Sequence, residues 1–198
     1  KVNLSFFADK EDILIKNLFG EIDGIIINNG DIKLNLKKGI KLSSNFISNI
    51  NLDNKKIEKF NDLLVDFNLA GNIKELNGNF NNNILVILDE TYKLITYNYK
   101  FSGKINKSKI ELFRALKNNF NIAKIKEIFL SDTQVELDIS KKDYKFGAIG
   151  KYSLNNIDFL ELKLDSNLKN DLFKINANFD YGENLVFNLI NYKKPKDE

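Results

Sequence analysis

Apolar and polar side chains alternate with a period of two through most of this chain. Val135, Leu137 and Ile139 interleave with Gln134, Glu136 and Asp138. Tyr144, Phe146 and Ala148 follow, and Phe173, Ile175, Ala177, Phe179 and Tyr181 repeat the scheme. Successive side chains of a strand point to opposite faces, so this rhythm predicts a sheet with one apolar and one wet side.

Glycine and asparagine punctuate the alternation. Asp23-Gly24, Asn28-Asn29-Gly30-Asp31 and Lys37-Lys38-Gly39 predict tight turns, because Gly and Asn accept positive φ. Asn81-Asn82-Asn83, Asp89-Glu90 and Ser131-Asp132 predict more of them. Strands are expected at the start (Val2, Leu4, Phe6), around Ile32–Leu36 and Ile40–Leu42, and from Ile47 to Leu52. Others are expected at Leu63–Leu69, Leu76–Phe80, Ile84–Leu88 and Leu94–Ile105, then at 124–130, 133–140, 143–154, 158–166, 171–181 and 184–191. Connections this short leave no room for helical crossovers and point to an antiparallel meander.

One stretch departs from the rule. Ser108 and Glu111 have the spacing of a capping box, and Leu112, Leu116 and Phe120 fall at helical intervals, which allows a short helix near 109–119. The fold expected is therefore all-β: a curved, mainly antiparallel sheet rolled around an apolar groove. Residues 1–192 would form one β-rich domain or a segment of a longer groove, and 193–198 a charged tail.

Composition narrows the chemistry. The 198 residues contain no Cys and no His, which excludes disulfides, thiolates and imidazole catalysis. Lys and Arg number 30 against 27 acidic groups, and Arg114 is the sole Arg. A nucleic-acid surface concentrates basic charge and uses Arg forks, so that partner is not expected. Lys does interleave with aromatics in Tyr97-Asn98-Tyr99-Lys100-Phe101 and Tyr144-Lys145-Phe146, but alternation sends the rings and the lysines to opposite faces.

No phosphate-binding glycine motif or calcium loop is present. Asp89, Glu90, Asp132 and Glu136 are the candidate carboxylates, and turns or wet strand faces make solvation their ordinary role. Neither an enzyme nor a cofactor is expected. No apolar run approaches the roughly 20 residues of a membrane helix. The chain starts at Lys1 within an alternating pattern, which suggests a piece of a longer polypeptide whose anchor lies elsewhere.

What remains is the apolar side. It either packs into a filled sandwich or barrel core, or lines a groove that holds acyl chains. If that side is concave, Val135, Leu137, Ile139, Tyr144, Phe146, Phe173, Ile175, Ala177 and Phe179 line the groove.

The run Gly30-Asp-Ile-Lys-Leu-Asn-Leu-Lys-Lys-Gly-Ile-Lys-Leu-Ser-Ser-Asn-Phe46 resembles the repetitive β segments of the AsmA-like envelope proteins, the group that includes TamB and YhdP. So do Ile128-Phe-Leu-Ser-Asp-Thr-Gln-Val-Glu-Leu-Asp-Ile139 and Gly150-Lys-Tyr-Ser-Leu-Asn155. The likeness covers most of the chain, in style rather than in an invariant motif. It implies a long twisted sheet around an apolar groove that carries phospholipid between the bacterial inner and outer membranes. It also implies a periplasmic location, an inner-membrane anchor and outer-membrane components outside this chain, and no catalytic residue or cofactor. The chain departs from the family in lacking the anchor and in being short for a bridge. Two alternatives stand beside this reading: a filled-core binding or adhesion module, and an outer-membrane assembly factor that offers a sheet edge to client strands.

Overall fold

The structure is a computed structural model and describes residues 1–59, 73–111, 126–154, 158–169, 172–180, 185–187 and 192–195. Ten strands lie side by side in chain order. They are β1 (Val2–Ala8), β2 (Asp12–Ile22), β3 (Ile25–Asn35), β4 (Ile40–Leu52), β5 (Ile73–Leu88), β6 (Leu94–Glu111), β7 (Glu127–Ser140), β8 (Tyr144–Leu154), β9 (Leu160–Lys169) and β10 (Leu172–Phe179). Every neighbouring pair is antiparallel. The sheet is curved and unclosed, with β1 and β10 at its two edges. A separate hairpin joins β11 (Leu185–Phe187) to β12 (Tyr192–Lys194), so Lys193 and Lys194 of the expected tail pair with Val186 and Leu185.

Several turns are where the sequence puts them. Asp23 and Gly24 both have positive φ between β2 and β3, and Gly39 at +80° closes the β3–β4 connection. Three others are not turns. Asn81-Asn82-Asn83 lies inside β5 and pairs on both sides, with Phe46 opposite Asn82 on β4 and Phe101 opposite it on β6. Hydrogen bonds within the sheet supply what a turn would take from water. The Asn82 amide donates to Ser48 Oγ at 3.0 Å and accepts from the Tyr99 hydroxyl at 2.8 Å. Asn29 (φ 51°) and Asp132 (φ 49°) sit at register shifts inside β3 and β7. There the positive φ makes a β-bulge that bends the strand without reversing it.

As a result Leu76–Phe80 and Ile84–Leu88 are one strand, and so are 127–130 and 133–140. Of the short helix allowed near 109–119, residues 109–111 end β6 in register with β7, because Ile110 continues the apolar side opposite Ile128. The remainder of that segment, like the strand expected at Leu63–Leu69, lies outside the described residues.

Asp53 begins a short helix, α1 (Asn54–Lys59), where the sequence suggested only a polar strand end. Its carboxylate accepts from the Lys56 N–H at 2.9 Å, which satisfies one of the helix's free donors.

The core is thin and lies to one side of the sheet. Phe80, Val135 and Ala148 are at most 5% exposed and pack with Ile50, Phe101, Ile105, Phe146 and Leu164. Phe80 stacks on Phe101 with centroids 4.6 Å apart. Gly103 makes this possible, since a methyl group there would collide with the Asn79 carbonyl oxygen and the Phe80 ring.

Candidate functional site

Register decides which side each residue occupies, because directly opposed residues on neighbouring strands share a face. Ile139, Tyr144, Leu168 and Phe173 form one row across β7–β10. Leu137, Phe146, Ser166 and Ile175 form the next, followed by Val135, Ala148, Leu164 and Ala177. Phe179 stands opposite Leu162 on the same side. The nine residues proposed from sequence are therefore one contiguous patch.

The rows run further than the sequence reading took them. Leu137 continues through Phe101 and Asn82 to Phe46, and Ile139 through Tyr99 and Ile84 to Ser44. On the far strands Leu42 leads through Leu34 and Ile13 to Ala8. One predominantly apolar face thus spans all ten strands. Alternation marks each of these residues as inward within its own strand, but only pairing shows that they share a surface.

Burial on this face falls toward its edges. Val135 and Ala148 are buried and Leu137, Ile139, Tyr144 and Phe146 are half-buried, whereas Phe173, Ile175 and Phe179 are 52–58% exposed. Tyr144 and Phe173 stand 6.3 Å apart, and Tyr152 meets Phe179 edge-on at 6.1 Å. Among the described elements, the strands pack mainly on their neighbours in the sheet; Tyr144–Phe173 and Tyr152–Phe179 reach across β9, and α1 lies against β4 and β5. No described strand or helix forms a second layer over the patch.

Polar groups interrupt the face near its middle. Ser44, Ser48, Asn82 and Ser166 are all buried. Partial burial beside Asn82 pushes the Tyr99 phenol above its ordinary pKa.

The opposite face is mostly wet, although Ser153 at one end of it is buried. Cross-strand ion pairs run along it, including Lys100–Asp138 at 3.3 Å, Lys107–Glu75 at 2.9 Å and Lys109–Glu127 at 2.8 Å. Exposed pairs of this kind contribute little to stability, at most about 1 kcal/mol each.

A depression of about 800 Å³ crosses the sheet from β3 to β9. It takes three consecutive residues from most strands, such as Asn81-Asn82-Asn83, Lys100-Phe101-Ser102 and Glu136-Leu137-Asp138. The side chains two positions further along the apolar side are not part of it. Its banks are thus the polar side chains and its floor is the backbone of the middle row. Those banks place this hollow on the polar face. Sheet twist curves both faces of so wide a ribbon, and side-chain alternation carries no information about that curvature.

The candidate carboxylates do not converge. Asp89 closes the β5–β6 turn by accepting from the Thr91 hydroxyl at 2.7 Å and the Lys93 N–H at 3.0 Å. Glu90 is exposed in the same turn. Asp132 is ion-paired with Lys104 at 2.6 Å, and Glu136 stands in the polar hollow. Among the described residues no group of three acidic side chains could hold a metal ion. Lys100 and Lys145 point away from Tyr99, Phe101, Tyr144 and Phe146, as alternation requires.

Hydrogen bonds hold three carboxyls below their ordinary pKa. The Thr91 hydroxyl does so for Asp89, the Lys104 ammonium for Asp132, and the Glu11 and Asp12 N–H groups for Asp9. A pKa lower in the folded than in the unfolded chain adds stability above the unfolded value, and that stability is lost as pH falls through the folded one. Urea midpoints should therefore hold near neutrality and drop as pH falls below about 4. Asp89→Asn should flatten this decline; an unchanged acid limb would show that the turn contributes nothing to it.

No protein-family model, curated protein or solved structure was found to match this chain.

Proposed function

We propose that this sheet shields lipid acyl chains, as a non-enzymatic segment of a bacterial envelope protein that moves phospholipid between the inner and outer membranes. The observation that carries the reading is the predominantly apolar face, which spans ten strands and is not covered by a second described layer. Exposed patches larger than a few hundred Å² mark binding surfaces. Each Å² of apolar area taken from water contributes about 25 cal/mol, whatever the lipid headgroup.

Transfer on such a surface is passive. Chains leave one bilayer for the face and exchange into another, and a gradient or partner sets the direction. The periplasmic setting and the anchored partners follow from the resemblance to AsmA-like proteins and form part of the same proposal.

The test is extraction of the protein purified from a bacterial envelope, followed by lipid mass spectrometry. Phospholipid in stoichiometric amount supports the reading. A protein that carries none, and does not take up a fluorescent fatty acid, overturns it.

The tightly packed Phe80–Val135–Ala148 cluster favours a second reading, in which the apolar side is the filled core of a binding module. That core would exclude the fatty acid entirely.

A further inference from the structure

One hydroxyl stands alone among apolar side chains. Ser166 of β9 is 7% exposed, and among the described residues its side chain makes no hydrogen bond. Phe146 and Ile175 face it from the neighbouring strands, and Leu164 and Leu168 flank it along its own. A buried hydroxyl without a partner costs free energy that alanine in its place would not.

The other polar groups of this face keep one another company. Asn82 donates to Ser48 Oγ at 3.0 Å and accepts from the Tyr99 hydroxyl at 2.8 Å. Ser44 stands diagonal to Asn82 across the β4–β5 pairing, at the margin of the same group. From Ser166 the row runs over Phe146, Leu137 and Phe101, all half-buried, and meets Asn82 on β5. Three strand spacings separate Ser166 from Phe101, about 14 Å. An acyl chain in one leaflet of a bilayer core spans about 15 Å, half of the core's thickness.

We propose that Ser166 donates a hydrogen bond to the carbonyl oxygen of an acyl ester, whose chain lies along this row and stops at Asn82. This rests on the acyl-chain reading and adds to it an anchor and a length limit. Charge selects the ester. Lys145 and Lys163, the lysines nearest in register, stand on the opposite face, so no cation meets the hydroxyl. An ionised carboxylate there would shed its hydration without a counter-charge, and an ester would not. The Asn82 amide ends the row because its own hydrogen bonds are already made within the sheet.

Displacement of a fluorescent fatty acid by unlabelled ligands tests this. The methyl ester of a long-chain fatty acid should bind about threefold to tenfold more tightly than the hydrocarbon of equal length, the worth of one hydrogen bond. Ser166→Ala should erase that preference and leave hydrocarbon binding unchanged, while Ser166→Thr, which retains a hydroxyl, should keep it. Ser102→Ala, on the polar face, should alter neither. Ester affinity should rise about fourfold per added methylene and then level off once the chain reaches Asn82. Equal ester binding by wild type and Ser166→Ala overturns the proposal and assigns the hydroxyl to water, with the acyl-chain reading intact. An unbroken rise with chain length overturns the limit at Asn82. A protein that binds the fluorescent fatty acid, the ester and the hydrocarbon not at all fails the acyl-chain reading itself, and this inference with it.

Discussion

Phe80→Ala should lower folding stability by about 3–5 kcal/mol, the usual cost of deleting a buried aromatic ring. Phe80 is 2% exposed, stacks on Phe101 and fills the space left by Gly103. Among the described residues, little other apolar core is available over which to spread such a loss. Domain stabilities are about 5–15 kcal/mol, so a fifth or more of the total is at stake. In urea the midpoint should fall by about 2 M for a slope near 2 kcal/mol per M. Phe7→Ala is the control: Phe7 is 59% exposed, and its removal should shift the midpoint by no more than about 0.5 kcal/mol equivalent. If both substitutions cost the same, the cluster around Phe80 is not the centre of the fold.

The second large effect concerns binding. Leu137 and Phe146 are directly opposed on the apolar face, while Glu136 and Lys145, their immediate neighbours in sequence, stand on the other. Leu137→Ser with Phe146→Ser should weaken uptake of a fluorescent fatty acid by about 10²–10⁴-fold. That follows from about 1.5–3 kcal/mol of burial lost at each position. Glu136→Gln with Lys145→Gln should leave uptake unchanged. The reverse pattern would move the ligand to the polar hollow and end the acyl-chain reading. Far-ultraviolet spectra of both double variants separate loss of binding from loss of fold.

The sidedness of this protein was legible because alternation is a strictly local property. Leu137 and Phe146 declare their inward direction within their own strands, and the antiparallel ladder preserves it from one strand to the next. Turns were less legible. Asn28-Asn29-Gly30-Asp31 and Asp23-Gly24 carry the same preference for positive φ, yet one is a bulge and the other a reversal. What separates them is pairing with β4, more than a dozen residues away. Asn82 was misread for a related reason: its partners Ser48 and Tyr99 come from two other strands. The hollow on the polar side was invisible for a third reason, since curvature of the whole ribbon is a sum of small twists that no single residue encodes.

The strict chain-order arrangement of the ten strands has a mechanical consequence. Each described strand leans mainly on the ones just before and after it, so pairing can spread from one strand to the next. Such a molecule can assemble hairpin by hairpin, as stacked repeat proteins do. Pulled from its two ends, it should peel away one ribbon at a time, giving a series of small force steps instead of one abrupt rupture.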